Sequence, residues 1–138
     1  MIEINNLTTV QRMINEEFLK KVAKKVLKGE GKKELELSIV LVGSGRIKEL
    51  NKKYRKKNKV ADVLSFLYNG SGEIVICLRE VKKNAERYKS TFEKELSRVL
   101  IHGILHLLGE DHEISKEKAK VMEKKQENYL KLCQKIIL

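Results

Sequence analysis

The sequence predicts an α+β domain, a small mixed sheet covered by helices. Runs with a two-residue hydrophobic period are confined to the first two thirds of the chain. Segments with apolar residues at helical spacing occupy both ends. No repeat, low-complexity linker or shift in composition divides the 138 residues, so residues 1–138 are expected to form a single domain.

Taken in order, "MIEIN" alternates and is expected to be a short first strand. Over residues 9–27, Val10, Met13, Ile14, Phe18, Val22 and Val26 recur at helical spacing. Lys20, Lys21, Lys24, Lys25 and Lys28 load the outer face and the C-terminal end, where cations complement the helix dipole, and Gly29 is a good stop. "ELELSIVLV", residues 34–42, places Leu35, Leu37, Ile39 and Leu41 on one face of a strand. "GSG" after it is read as a turn rather than a phosphate loop, with Ser44 capping a short helix over residues 47–54. "ADVLSFLY" and "EIVICL" are strands separated by the turn signal "NGSG", which suggests a hairpin or two neighbouring strands. A helix resumes near Arg79 and breaks around Ser90. "STFE" sets Ser90 three residues before Glu93, a capping-box pattern for the next helix, which should stop at Gly109. The last helix starts near Ser115 and reaches the C-terminus.

Composition narrows the partners. Hydrophobic residues make up 41% of the chain, enough for one modest core, and the formal net charge is +11. A small domain this basic attracts polyanions, nucleic acid above all. Abundant Lys and Glu also occur in heat-adapted proteins, but a chain without Pro does not fit their stiffened loops, so solubility alone stays open as an explanation. Cys77 and Cys133, far apart, form no disulfide framework. Both are read as reduced, which points to a cytoplasmic location. "MIEINNLTTVQRM" has neither the basic nor the apolar region of a signal peptide, and no apolar run approaches the ~18 residues of a membrane span.

All three histidines lie in "IHGILHLLGEDH". His102 and His106, four apart, share one face of a helix. Gly109 allows a sharp turn, and His112 three residues later can fold back to the same point. Three imidazoles with an open position are the usual plan of a catalytic zinc site, whereas a structural zinc takes four protein ligands. Cys77 or Asp111 is the candidate for a fourth ligand. Asp111 is equally a candidate partner behind a ligand, a base, or a simple cap of the turn, and Glu110 is read as a solvated turn residue.

The spacing H-x-x-x-H-x-x-G-x-x-H gives a zincin-like metal helix and turn, shared with metzincin proteases. Those enzymes carry their general base, Glu, directly after the first His. Here that position is Gly103, which either leaves room beside the metal or permits close packing. Zinc lowers the pKa of bound water from 15.7 toward ~7, chemistry suited to ester, amide or phosphodiester hydrolysis. The basic surface favours the phosphodiester. Such a reaction needs a cation on the phosphoryl oxygens, and Arg55 in "YRKKNK" is the candidate because guanidinium pairs two oxygens at once. Lys56, Lys57 and Lys59 either track flanking phosphates or form a solvated face.

"HGILHLLGEDH" resembles the H-G-x-L-H-L-x-G-x-D-H signature of the YbeY family of metal-dependent endoribonucleases. "LNKKYR" resembles that family's L-N-x-x-Y-R segment, "ADVLSF" its T-D-V-L-S-F strand and "GEIVIC" its G-D-I-x-I-C strand. The resemblance covers roughly residues 35–112. It implies a four-stranded mixed sheet with about five or six helices, zinc or another divalent ion on His102, His106 and His112, and a catalytic part for Arg55. It implies single-strand-specific RNA cleavage at the 3′ end of small-subunit ribosomal RNA, ribosome quality control, and the small ribosomal subunit or its proteins as partners. A monomer is expected. The chain departs from the family pattern at Val60, Ala61 and Leu67, where Pro, Thr and Pro are usual, and at Glu110, where an aromatic residue is common.

Two other readings remain at this point. One is an RNA-binding ribosome-assembly protein whose zinc only braces the fold. The other is a zincin-like amide hydrolase or metallopeptidase, against which Gly103 argues. Three imidazoles also bind nickel and copper, so the pattern does not choose the metal.

Overall fold

The computed structural model describes residues 1–8, 14–109 and 115–137, with side chains described as far as residue 135. The elements run β1 (Ile2–Asn6), α1 (Glu16–Gly29), β2 (Glu36–Val42), α2 (Ser44–Arg55), β3 (Val63–Tyr68), β4 (Ser71–Cys77), α3 (Leu78–Arg87), α4 (Phe92–Gly109) and α5 (Lys116–Ile137). The sheet order is β1-β2-β4-β3. β1 and β4 flank β2 in parallel, while β3 pairs antiparallel with β4 and forms an edge. This is the mixed four-stranded sheet and α+β class that the sequence predicts, with five helices among the described residues.

Alternation along the strands sorts the core into two layers. Leu37, Ile39, Leu41, Ile74 and Ile76 face one way and pack with α1, α3, α4 and α5. Val42, Leu64, Val75 and Cys77 face the other way and pack with Ile47 of α2. α4 is the central helix. Leu100, Ile101 and Ile104 are fully buried, each burial contributing about 1.5–3 kcal/mol relative to exposure. α4 is therefore apolar around most of its circumference, which leaves its few polar positions conspicuous.

Several boundaries differ from the sequence expectation. Residues 9–13 lie outside the described residues, but Ile14 and Asn15 are not helical. Asn15 caps α1 by accepting from the Phe18 N–H at 3.1 Å, and Glu16 and Glu17 fill the acidic first turn, so local capping overrides the apolar spacing upstream. Gly43, not Ser44, is the N-cap of α2, and Ser44 is its first helical residue. Ser71 and Gly72 belong to β4, so the turn is only Asn69 and Gly70, with Gly70 at φ 77°. Thr91, not Ser90, caps α4 by accepting from the Lys94 N–H at 3.1 Å. Ser90 instead donates its N–H to Ala85 and closes α3. α5 starts beside Ser115 as expected, and Ser115 caps it, accepting from Lys118 N–H at 3.2 Å.

Candidate metal centre

His102 and His106 project from one face of α4, as their spacing requires. Their ring centroids are 6.0 Å apart and the rings are tilted by 52°; both side chains are half-buried. The neighbouring helix α5 supplies Gln126, whose Oε1 lies 2.8 Å from His102 Nδ1. With that nitrogen engaged, Nε2 is the ring's remaining donor atom.

The residue after His102 decides one question the sequence leaves open. A Cβ at Gly103 would stand 2.9 Å from Val63 Cγ2 and 3.1 Å from Ile74 Cγ2. Ser65 Oγ donates to the Gly103 carbonyl at 2.8 Å. Gly103 thus serves close packing of α4 onto the edge strand, and the position where metzincins carry glutamate has no room for a side chain.

The other predicted residues are distributed as follows. His112 and Asp111 lie outside the described residues, as does Glu110. Among the described residues, no group of three His, Cys, Asp or Glu side chains is placed to hold a metal. Cys77 is buried in the α2 layer, its Sγ 3.8 Å from Ser44 Oγ, and does not join the histidines. Cys133 is buried against α1 and α4, where burial pushes its thiol above the ordinary value, partly opposed by the charge of Lys25. The donor set nevertheless fits a divalent cation. Two imidazoles stand one helical turn apart, and one of them has its far nitrogen held by an acceptor, the usual support of a ligating histidine.

Arg55 is the last residue of α2, the helix that packs through Ile47 on the second layer of the core, and is half-buried. Residues 56–62 carry the chain from α2 round to β3. Lys56, Lys57 and Lys59 are exposed on that segment. The segment is anchored by Asn51, which is 2% exposed. Asn51 Nδ2 donates to the Lys59 carbonyl at 2.9 Å, and the Asn51 backbone carbonyl accepts from the Lys57 N–H at 3.3 Å. Lys56 turns the chain in the left-handed conformation, at φ 56°. At the far end the Asp62 carbonyl accepts from Cys77 N–H at 2.9 Å.

Sequence reasoning missed Asn51, Ser65 and Gln126. Asn51 had a signal, since it is the second residue of "LNKKYR". Ser65 likewise lies in "ADVLSF", although its partner is 38 residues away, whereas Gln126 had no signal, since it lies in no such motif and 24 residues from its partner.

A family model described as Endoribonuclease YbeY matches residues 3–134. This chain belongs to the YbeY family. A relative from Petrotoga mobilis, named Endoribonuclease YbeY, is 45% identical over 123 residues, covering 86% of this chain and 85% of its own. One of the same name from Thermodesulfovibrio yellowstonii is 47% identical over 102 residues, 68% of this chain and 64% of that relative. The solution structure of a Thermotoga maritima protein superposes with a TM-score of 0.70 at 36% identity, covering 96% of this chain and 89% of that one. In the YbeY frame, the histidine helix, the Arg55 segment and the edge strand are parts of one family fold. They are not an isolated motif on an unrelated scaffold.

Proposed function

We propose that this chain is a metal-dependent endoribonuclease that cleaves single-stranded RNA in ribosomal RNA maturation, at the 3′ end of the small-subunit RNA, and takes part in ribosome quality control. Membership of the YbeY family makes it a hydrolytic nuclease acting on RNA. The observation that carries the site is the His102–His106 pair beside a Gly103 closed to any side chain. The pair supplies metal donors, and the closed position excludes the metzincin base, so the amide-hydrolase reading is not favoured.

In this reading zinc is held by His102, His106 and His112. When bound, the ion supplies Lewis acidity toward a phosphoryl oxygen and lowers the pKa of water toward ~7. Arg55 pairs phosphate oxygens and steadies the charge that develops on them. Lys56, Lys57 and Lys59 follow the flanking backbone, with most of the affinity coming from phosphate contacts. Asp111 is the candidate for proton transfer or for orienting a ligand. The location is cytoplasmic, the partners are the small ribosomal subunit or its proteins, and the protein acts as a monomer.

The test is cleavage of single-stranded and duplex RNA by metal-loaded protein, with elemental analysis of the purified sample. Single-stranded RNA is expected to be cut preferentially. His106→Ala and Arg55→Ala are expected to lose activity, the latter by about 10²-fold or more. Equal cleavage by the parent and both variants would mean a contaminating nuclease and would refute the reading.

A further inference from the structure

We propose that Gln126 is a positioning residue for His102, accepting its Nδ1 proton so that Nε2 stays unprotonated as the metal donor. The inference rests on the metal-site reading above and concerns a residue 24 positions beyond its partner.

α5 has an inward stripe at helical spacing: Met122, Tyr129 and Leu130 pack on the main core, and Cys133 is fully buried within it. Gln126 sits in the middle of that stripe and is half-buried. An unpartnered amide there costs free energy, and an apolar side chain would fit the pattern better. Its partner is the His102 ring, 2.8 Å away. The neighbouring positions fix its approach. Lys125 Nζ and Tyr129 Oη both donate to Glu30 at the end of α1, at 2.8 and 2.6 Å, so the turn of α5 that carries Gln126 is docked on both flanks.

The chemistry depends on which end of the amide meets the ring. With Oε1 toward Nδ1, the proton must reside on Nδ1, and Nε2 keeps its lone pair. With the amide reversed, the NH₂ would donate to Nδ1, the proton would move to Nε2, and the ring would lose its donor. Gln126 therefore selects a tautomer and holds the ring's orientation, which is what an acceptor behind a ligating histidine does.

Imidazole ¹⁵N spectra of the metal-free protein read the tautomer directly, and competition titration with zinc reads affinity, so neither depends on catalysis. The parent is expected to show the Nδ1–H form of His102. Gln126→Leu, which suits the apolar stripe, is expected to redistribute the tautomers and weaken zinc binding 10- to 100-fold. Gln126→Glu, still an acceptor, is expected to restore the Nδ1–H form and affinity to within a few-fold of the parent. A parent with the proton on Nε2, a Leu variant with unchanged His102 resonances, or a Glu variant as weak as the Leu variant would each overturn the proposal. Equal zinc affinity in His106→Ala and the parent would instead overturn the metal-site reading, while the metal-free spectra would still report on Gln126.

Discussion

Ser65 Oγ donates a 2.8 Å hydrogen bond to the carbonyl of Gly103, fastening edge strand β3 to the helix that carries the histidines. The contact is possible because Gly103 has no side chain. Ala is ordinarily better than Gly in a helix interior by about 1 kcal/mol. At this position its methyl would meet Val63 Cγ2 at 2.9 Å and Ile74 Cγ2 at 3.1 Å, both on β-branched side chains within strands. Overpacking of that kind costs about 1–3 kcal/mol and exceeds the propensity gain. Gly103→Ala is expected to lower stability by about 1 kcal/mol or more in urea denaturation. Its zinc affinity should also fall, because α4 must shift beside His102. A variant more stable than the parent would contradict the close-packing role.

The clamp at Glu30 gives a pH dependence of known sign. Burial raises the Glu30 carboxyl, but hydrogen bonds from Lys125 and Tyr129 and the Lys125 charge outweigh it and hold the pKa below the ordinary value. A folded pKa below the unfolded one adds stability that is present above the usual ~4.3 and is lost as pH falls through the folded value. Tyr129 moves the other way. Burial first, then its bond to Glu30 and the charge there, push it up to about 12. Its contribution is complete below ~10 and is lost as pH rises through about 12. Tyr129→Phe removes a hydrogen bond to a carboxylate and is expected to cost about 1.5–3 kcal/mol near neutrality. Stability measured against pH should show the gap between parent and variant narrowing at both extremes. A constant gap would mean that the phenol acts through packing alone.

Much of this was legible in the sequence, for physical reasons that differ by element. The strands were readable because Leu37, Ile39 and Leu41 recur at every second position on the face that meets the main core. The histidine helix was readable because spacing by four fixes a shared face without tertiary information. Cap positions failed by one residue at Ser44 and Ser90, where Gly43 and Thr91 take the role. Adjacent residues there offer nearly equivalent caps, and tertiary docking selects between them. Gln126 was not legible at all. Its part depends on how α5 docks, and that is set by Glu30 and Tyr129, which lie 99 residues apart. The packing of α2 through Ile47 on the second layer was also invisible, since sequence order says nothing about which sheet face a helix covers.

Asn51 ties the cationic segment to α2, and cutting that tie should loosen the segment without unfolding the domain. Asn51→Ala loses one hydrogen bond, to the carbonyl of the exposed residue Lys59, so the stability cost should be about 1 kcal/mol. The larger effect is expected on order. Amide hydrogen exchange should rise over residues 57–61 and stay unchanged in β2 and β4. RNA cleavage should fall through KM more than through kcat, because Arg55 itself remains on α2. Unchanged exchange in the segment would show that Lys56 in its left-handed conformation holds the turn without help.

The lysines on that segment can be separated from general surface charge by the salt dependence of RNA binding. Each contact to a single-strand phosphate releases counterions and contributes about 0.7 to the slope of log K against log salt. Replacing Lys56, Lys57 and Lys59 together by Ala is expected to make the slope shallower by up to ~2, with affinity falling similarly for all sequences. A control replacing Lys20, Lys24 and Lys28 of α1 removes the same charge from a helix elsewhere on the molecule. If the chain were merely attracted to RNA by its net charge, both triple variants would change the slope equally. A change confined to the first triple would place the RNA backbone along the segment that leads from Arg55 to the edge strand beside Gly103.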